Sequence, residues 1–152
     1  TSTSSPYFQS FLASQVASGA RGFLSKSITV AAMHQQAGDI HHVLPKDYLQ
    51  KNGYPDRSDY NQVANFVLTE TAINIRIGKR SPAEYLAEVD RQIAEGSLSL
   101  GEINDRADLA ANLAENALPE NLAEVTAETY PEFLRRRRML MAARIREYYE
   151  AL

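Results

Sequence analysis

Two adjacent histidines, His41 and His42, lie in the run Asp39-Ile40-His41-His42-Val43-Leu44-Pro45-Lys46. Asn65 follows in Val63-Ala64-Asn65-Phe66-Val67-Leu68-Thr69, and Asn74 in Thr71-Ala72-Ile73-Asn74-Ile75-Arg76-Ile77-Gly78-Lys79. An imidazole titrates near ~6.5, so a neutral ring can take a proton from water close to pH 7. A His/Asn pair completed by waters also suits a divalent metal. Mn²⁺, Ni²⁺ and Zn²⁺ fit such donors at least as well as Mg²⁺, which prefers oxygen. Neighbouring residues on a strand face opposite sides, so the two histidines cannot share one role unless the strand ends or distorts there. A histidine pair alone is ordinarily a surface or core feature. Its combination with Pro45, Asn65 and Asn74 at these spacings points to catalysis. Asn74 has poor helix propensity; metal ligation would explain it, and a surface-facing amide is the plain alternative. Asn65 could simply cap the segment 59–64. Asp39 either touches the site or is solvated in a loop, the second being the favoured reading, and His34, outside the pattern, is expected at the surface.

Strand, loop, strand and short helix, carrying His-His, Asn and Asn in this order, resemble the HNH (ββα-metal finger) nuclease motif. The wider pattern His-His-x-x-Pro-Lys, Asn, then Asn-Ile-x-Ile-Gly-Lys-x-Ser-Pro-x-Glu-Tyr-Leu resembles one branch more closely. That branch is the C-terminal HNH domain of bacterial restriction proteins that carry an N-terminal ParB-like nucleotidase domain. The similarity runs from about Phe8 to the end and is densest from Asp39 to Leu86. It implies that His41 ligates the metal, that His42 is the general base, that Asn65 pins the loop between the strands, and that Asn74 is the last metal ligand. It also implies hydrolysis of DNA phosphodiester bonds in restriction of foreign or modified phage DNA. The expected cofactor is Mg²⁺ or Mn²⁺, with Zn²⁺ or Ni²⁺ as possible occupants, held by only two protein ligands. The expected partners are DNA and a nucleotidase domain of the same parent chain. A catalytically degenerate DNA-binding or interaction module, and an RNA-directed nuclease, are the alternatives, because such a site touches phosphate rather than base edges.

Several elements must position these residues. Ser5-Pro6 reads as a helix start, with Gly19 as its stop and Tyr7, Phe8, Phe11, Leu12 and Val16 at helical spacing. Residues 28–32 fit a strand or a helical turn equally. Residues 39–44 read as extended, closed by Pro45, and 46–52 as a helical turn, followed by a loop over 53–59. A strand over 65–69 and a short helix over roughly 70–77, stopped near Gly78, come next. Ser81-Pro82-Ala83-Glu84 has capping-box spacing and opens a helix that Gly96 ends. Residues 103–125 read as weakly helical, broken at Leu118-Pro119. Thr129-Tyr130-Pro131-Glu132 reads as another capping box, opening a long helix to about Tyr149. The architecture expected is α+β: a single, mainly helical domain over 1–152, with an embedded ββα finger at about 38–80 and a helical surround at 5–26 and 81–152.

Charge is unevenly spread. The total is −3, too acidic for binding nucleic acid over the whole surface. Residues 46–80 hold six basic and four acidic side chains, 84–132 two and twelve, and 133–152 six and two. The motif and the C-terminal helix are therefore locally cationic. Lys46, Arg76, Lys79 and Arg80 are the candidate phosphate contacts. In the last helix Phe133, Leu134, Leu140, Met141, Ile145, Tyr148 and Leu152 form an apolar stripe that also contains Arg137 and Arg144. An arginine there is expected to pair with a carboxylate or face a phosphate, and a structural ion pair is the favoured reading of Arg137. Arg135, Arg136 and Arg138 read as a solvated face.

A chain of 152 residues can bury a sizeable core. It has no cysteine, hence no disulfide and no thiolate metal site. A reducing cytoplasm is the simplest setting. No apolar run is long enough to span a bilayer, Thr1–Ser5 does not read as a secretory signal, and no membrane partner is expected. The first residue is not Met, so a fragment of a longer protein is expected. No Walker-type glycine-rich loop is present, so any nucleotide dependence would belong to another part of the parent chain.

Overall fold

The computed structural model describes residues 3–35 and 38–152. The fold is α+β, mostly helical, with one small two-stranded antiparallel sheet. Helix α1 (Pro6–Ser18) and helix α2 (Val30–Gln35) precede strand β1 (Gly38–His42). Short helices α3 (Lys46–Lys51) and α4 (Arg57–Tyr60) and a 3₁₀ turn (Val63–Asn65) lead to strand β2 (Phe66–Glu70). Helix α5 (Thr71–Ile77) follows at once, then α6 (Pro82–Glu95) and α7 (Arg106–Glu115). A second 3₁₀ turn (Leu122–Glu124) precedes the long helix α8 (Tyr130–Glu150).

The helix starts read from local chemistry occur where expected. The Ser5 hydroxyl accepts from the Phe8 amide, and Gly19 ends α1 at a φ of 71°. Ser81 and Glu84 form a reciprocal capping box, and Gly96 ends α6 at a φ of 77°. Two expectations are corrected. The segment read as a loop over 53–59 runs into α4, where Asp59 accepts from the Asp56 amide at 3.2 Å; four residues are too few for apolar periodicity to register. The Thr129 capping box does not form. Its hydroxyl instead accepts from the Thr126 amide at 2.9 Å, closing the preceding turn, while Glu132 pairs with Arg135. The undecided stretch 28–32 divides: Thr29 bridges Arg21, and α2 begins at Val30. The side chain of His34 lies outside the described residues.

Strand β1 pairs with β2 so that Asp39 faces Thr69, His41 faces Val67 and His42 faces Phe66. The other edge of β2 is covered by the chain after α1: the Phe23 amide donates to the Leu68 carbonyl at 2.8 Å, and the Thr69 hydroxyl donates to the Phe23 carbonyl at 2.8 Å. These bonds occupy part of that edge, which helps to protect it from pairing with another chain. Accordingly Phe66, Val67, Leu68 and Thr69 are all buried. The main core joins α1, α6 and α8 around the sheet through Phe8, Phe11, Phe23, Tyr85, Tyr130 and Met141. Tyr7 and Val16, placed by spacing on the apolar face of α1, lie at the surface, as does Leu152.

Among the described residues Arg137 is the largest fully buried side chain, and no carboxylate among them pairs with it. This corrects the ion pair expected from sequence. Its guanidinium donates to the carbonyls of Ala117, Ala64, Phe66 and Asn116, at 2.9–3.0 Å. Burial lowers its pKa to about 9, which still leaves it cationic at pH 7. Five donors in a planar fork let one side chain satisfy four carbonyl dipoles, an arrangement lysine cannot copy. Arg144, by contrast, does meet a carboxylate, Glu147 at 3.4 Å, and Arg135, Arg136 and Arg138 are exposed.

Candidate functional site

Strand β1 ends at His42, and that ending is what lets both histidines reach one place. A pocket of about 230 Å³, open to solvent, is lined by His41, His42, Pro45, Lys46, Asn74 and Lys79 among others. Helix α5 leaves β2 without a linker and carries Asn74 across to β1. Gly78 ends that helix at φ 60° and ψ −126°, a backbone setting that favours glycine, and turns the chain so that Lys79 lines the pocket.

His41 is buried, its ring stacked on Phe23 at 6.3 Å and edge-on to Tyr85 at 6.4 Å. Its Nδ1 bonds to the Asn74 Oδ1 at 2.7 Å, and its Nε2 is buried without a partner among the described residues. Burial drives its pKa down to about 4, against a smaller upward pull from Asn74. The ring is therefore neutral at pH 7. His42 is half-buried against Tyr60 and Phe66. Its Nε2 bonds to the Asn61 Oδ1 at 2.8 Å. An amide oxygen only accepts, so Nε2 carries the proton and Nδ1 keeps the lone pair. Burial lowers this pKa too, assisted by the Lys46 charge and opposed by Asn61.

The backbone just after His42 is tied down on every side. The Val43 amide donates to the Asn65 carbonyl at 2.8 Å, and the Tyr85 hydroxyl donates to the Val43 carbonyl at 2.7 Å. The fully buried Asn65 side chain accepts from the Leu44 amide at 2.9 Å and donates to the carbonyls of Leu44 and Tyr60. Asn65 thus bonds the loop between the strands rather than capping 59–64. Arg137 in turn holds the carbonyls of Ala64 and Phe66, on either side of Asn65.

The four candidate phosphate contacts separate. Lys46 and Lys79 line the pocket, the first 5.5 Å from the Tyr60 ring centroid, the second 3.1 Å from Asp47. Arg76 and Arg80 do not line it. Both pair with the buried Glu88, at 2.8 and 2.7 Å. Burial alone would raise the Glu88 pKa, but hydrogen bonds from Ser99 and the two arginines hold it down to about 2. A buried carboxylate needs such partners, so these two cations are spoken for.

Two contributors, Asn61 and Tyr85, were not legible as site residues, and for a third, Asp39, the disfavoured reading holds. Asp39, expected in solvated loop, accepts from the Asn74 amide at 3.0 Å and from the Thr71 hydroxyl at 3.2 Å. Its sequence signal was its position two before His41, which puts both on one face of a strand. Asn61 and Tyr85 reach the site by tertiary packing and carry no local signal. Among the described residues no group of three or more His, Asp and Glu side chains is arranged to hold a metal. The donor types that suit a divalent cation are instead the mixed pair of His41 Nδ1 and Asn74 Oδ1, which share a hydrogen bond in the metal-free protein; a cation there would have to displace the Nδ1 proton, with waters to complete the shell. Among the described residues no helix is long and apolar enough to cross a membrane. No family model, curated protein or solved structure matches the chain.

Proposed function

We propose that this chain is a metal-dependent endonuclease of the HNH type that hydrolyses DNA phosphodiester bonds. The observation that carries the reading is the meeting of His41, His42 and Asn74, from a strand end and a later helix, at one solvent-open pocket flanked by Lys46 and Lys79. The paired strands followed directly by α5 support a ββα finger embedded in the helical fold. Hydrolysis needs a nucleophilic water, neutralised phosphate charge and a stabilised leaving oxygen. His42 Nδ1, with its lone pair free, takes the proton of a water. That water attacks the phosphorus in line, the P–O3′ bond breaks, and the departing 3′ oxygen takes a proton from solvent, leaving a 5′-phosphate and a 3′-hydroxyl. Asn61 keeps the His42 ring in the tautomer this requires. Bound between His41 and Asn74, Mg²⁺ or Mn²⁺ would supply charge neutralisation for the phosphate and the departing 3′ oxygen. Lys46 and Lys79 bind the flanking phosphates.

A DNA substrate, a role in restricting foreign or modified DNA, and a nucleotidase domain on the same parent chain follow from the motif resemblance. Purified chain with Mn²⁺ or Mg²⁺ should nick plasmid DNA, and His42→Ala should lower the rate by roughly 10²–10⁴-fold, the range for losing a general base. Equal nicking by the variant removes His42 from the mechanism. No nicking and no metal binding by the parent, with DNA present, identifies a non-catalytic module instead. Faster cleavage of matched RNA reassigns the substrate.

A further inference from the structure

Asp39, Asn74 and His41 form a chain of directional hydrogen bonds. A carboxylate only accepts, so the Asp39 Oδ2, 3.0 Å from Asn74, takes the amide nitrogen. The second carboxylate oxygen is engaged by the Thr71 hydroxyl at 3.2 Å, which fixes the Asp39 side chain itself. The Asn74 amide is thereby turned with Oδ1 toward His41, 2.7 Å from Nδ1. An amide oxygen also only accepts, so the neutral ring must carry its proton on Nδ1. Its lone pair is left on Nε2, the one buried side-chain polar atom without a partner among the described residues.

We propose that Asp39 is a positioning residue that dictates, through the Asn74 amide, which nitrogen of His41 carries the proton. The relay also keeps the Asn74 Oδ1 beside the His41 Nδ1, so that a cation displacing the Nδ1 proton would meet a lone pair from each; that value for cation capture rests on the nuclease reading above. Without Asp39, nothing fixes the amide. A flipped Asn74 would offer Nδ2–H to His41, and the ring would shift its proton to Nε2. The cation would then meet an amide NH₂ group, which has no lone pair to give.

Long-range ¹H–¹⁵N NMR of the metal-free chain reads the tautomer directly, and with three histidines in the sequence the His41 ring can be assigned. The parent should show Nδ1–H. Asp39→Ala should give Nε2–H or a mixture. Asp39→Asn, whose amide oxygen can still accept from Asn74, should restore most of the Nδ1–H signal. Mn²⁺ titration followed by electron paramagnetic resonance should show affinity falling roughly tenfold in Asp39→Ala, and less in Asp39→Asn. An Nε2–H ring in the parent overturns the proposal, and so does a tautomer that Asp39→Ala leaves unmoved. A parent that shows Nδ1–H, loses it in Asp39→Ala and binds no Mn²⁺ supports the relay and defeats the metal reading of the site.

Discussion

Arg137 and His41 are both basic side chains buried beside β2, and they are treated in opposite ways. The arginine has four carbonyl partners. The histidine has one amide partner and one bare nitrogen. Burial of a polar group is costly unless its hydrogen bonds are made. A complete set marks a group that belongs to the frame. An incomplete set is a cost that ring packing against Phe23 and Tyr85 must offset. The same contrast separates Arg76 and Arg80, locked onto Glu88, from Lys46 and Lys79, which face the pocket.

That contrast can be broken most forcefully at Arg137. Arg137→Met should cost about 4 kcal/mol in urea unfolding, because each carbonyl left buried and unpaired costs roughly 1–3 kcal/mol and relief of the buried charge offsets only part. A loss under about 1 kcal/mol would show that the four bonds contribute little.

His41 should respond to pH rather than to truncation. Its folded pKa of about 4 lies below the ordinary 6.5, so the unfolded chain binds the proton more readily between those values. Stability of the metal-free protein should fall as pH drops from about 6.5 to about 4, by roughly 3 kcal/mol at ~1.4 kcal/mol per unit, and level off below. His41→Phe should remove that slope while leaving stability at pH 7 within about 1 kcal/mol of the parent. A slope that survives in His41→Phe belongs to other groups.

The lysines should give the smallest effects. Lys46→Ala and Lys79→Ala should each raise KM for DNA by a few-fold, on the order of 1 kcal/mol, and reduce the salt slope by about one. Arg76→Ala should leave KM unchanged and lower stability through Glu88. Equal KM changes for all three variants would erase the division between pocket and frame.

Much of this was written locally in the chain. Ser5-Pro6 with Gly19, and Ser81 to Glu84 with Gly96, mark α1 and α6 because a cap is decided within four residues. The spacing of His41, His42, Asn65 and Asn74 shows which side chains to compare. Their directions were not legible, because they depend on partners distant in sequence. Asp39 turns the Asn74 amide from another element, and Asn61 reaches His42 from the loop before β2. Arg137 was misread for a similar reason. Helical phase revealed that it faces inward, but backbone carbonyls, which every residue carries, leave no mark in the sequence as its partners. Thr129 shows the limit from the other side: its spacing satisfied a capping box, and a neighbouring turn claimed the hydroxyl.

The grip of Arg137 on the carbonyls flanking Asn65 also has a meaning in time. A ribosome delivers both imidazoles long before it delivers α8. Until that last helix docks, the Ala64 and Phe66 carbonyls lack their guanidinium and the Asn65 clasp on Leu44 is unsupported. A half-made chain thus carries His41 and His42 without the brace that holds the loop behind them.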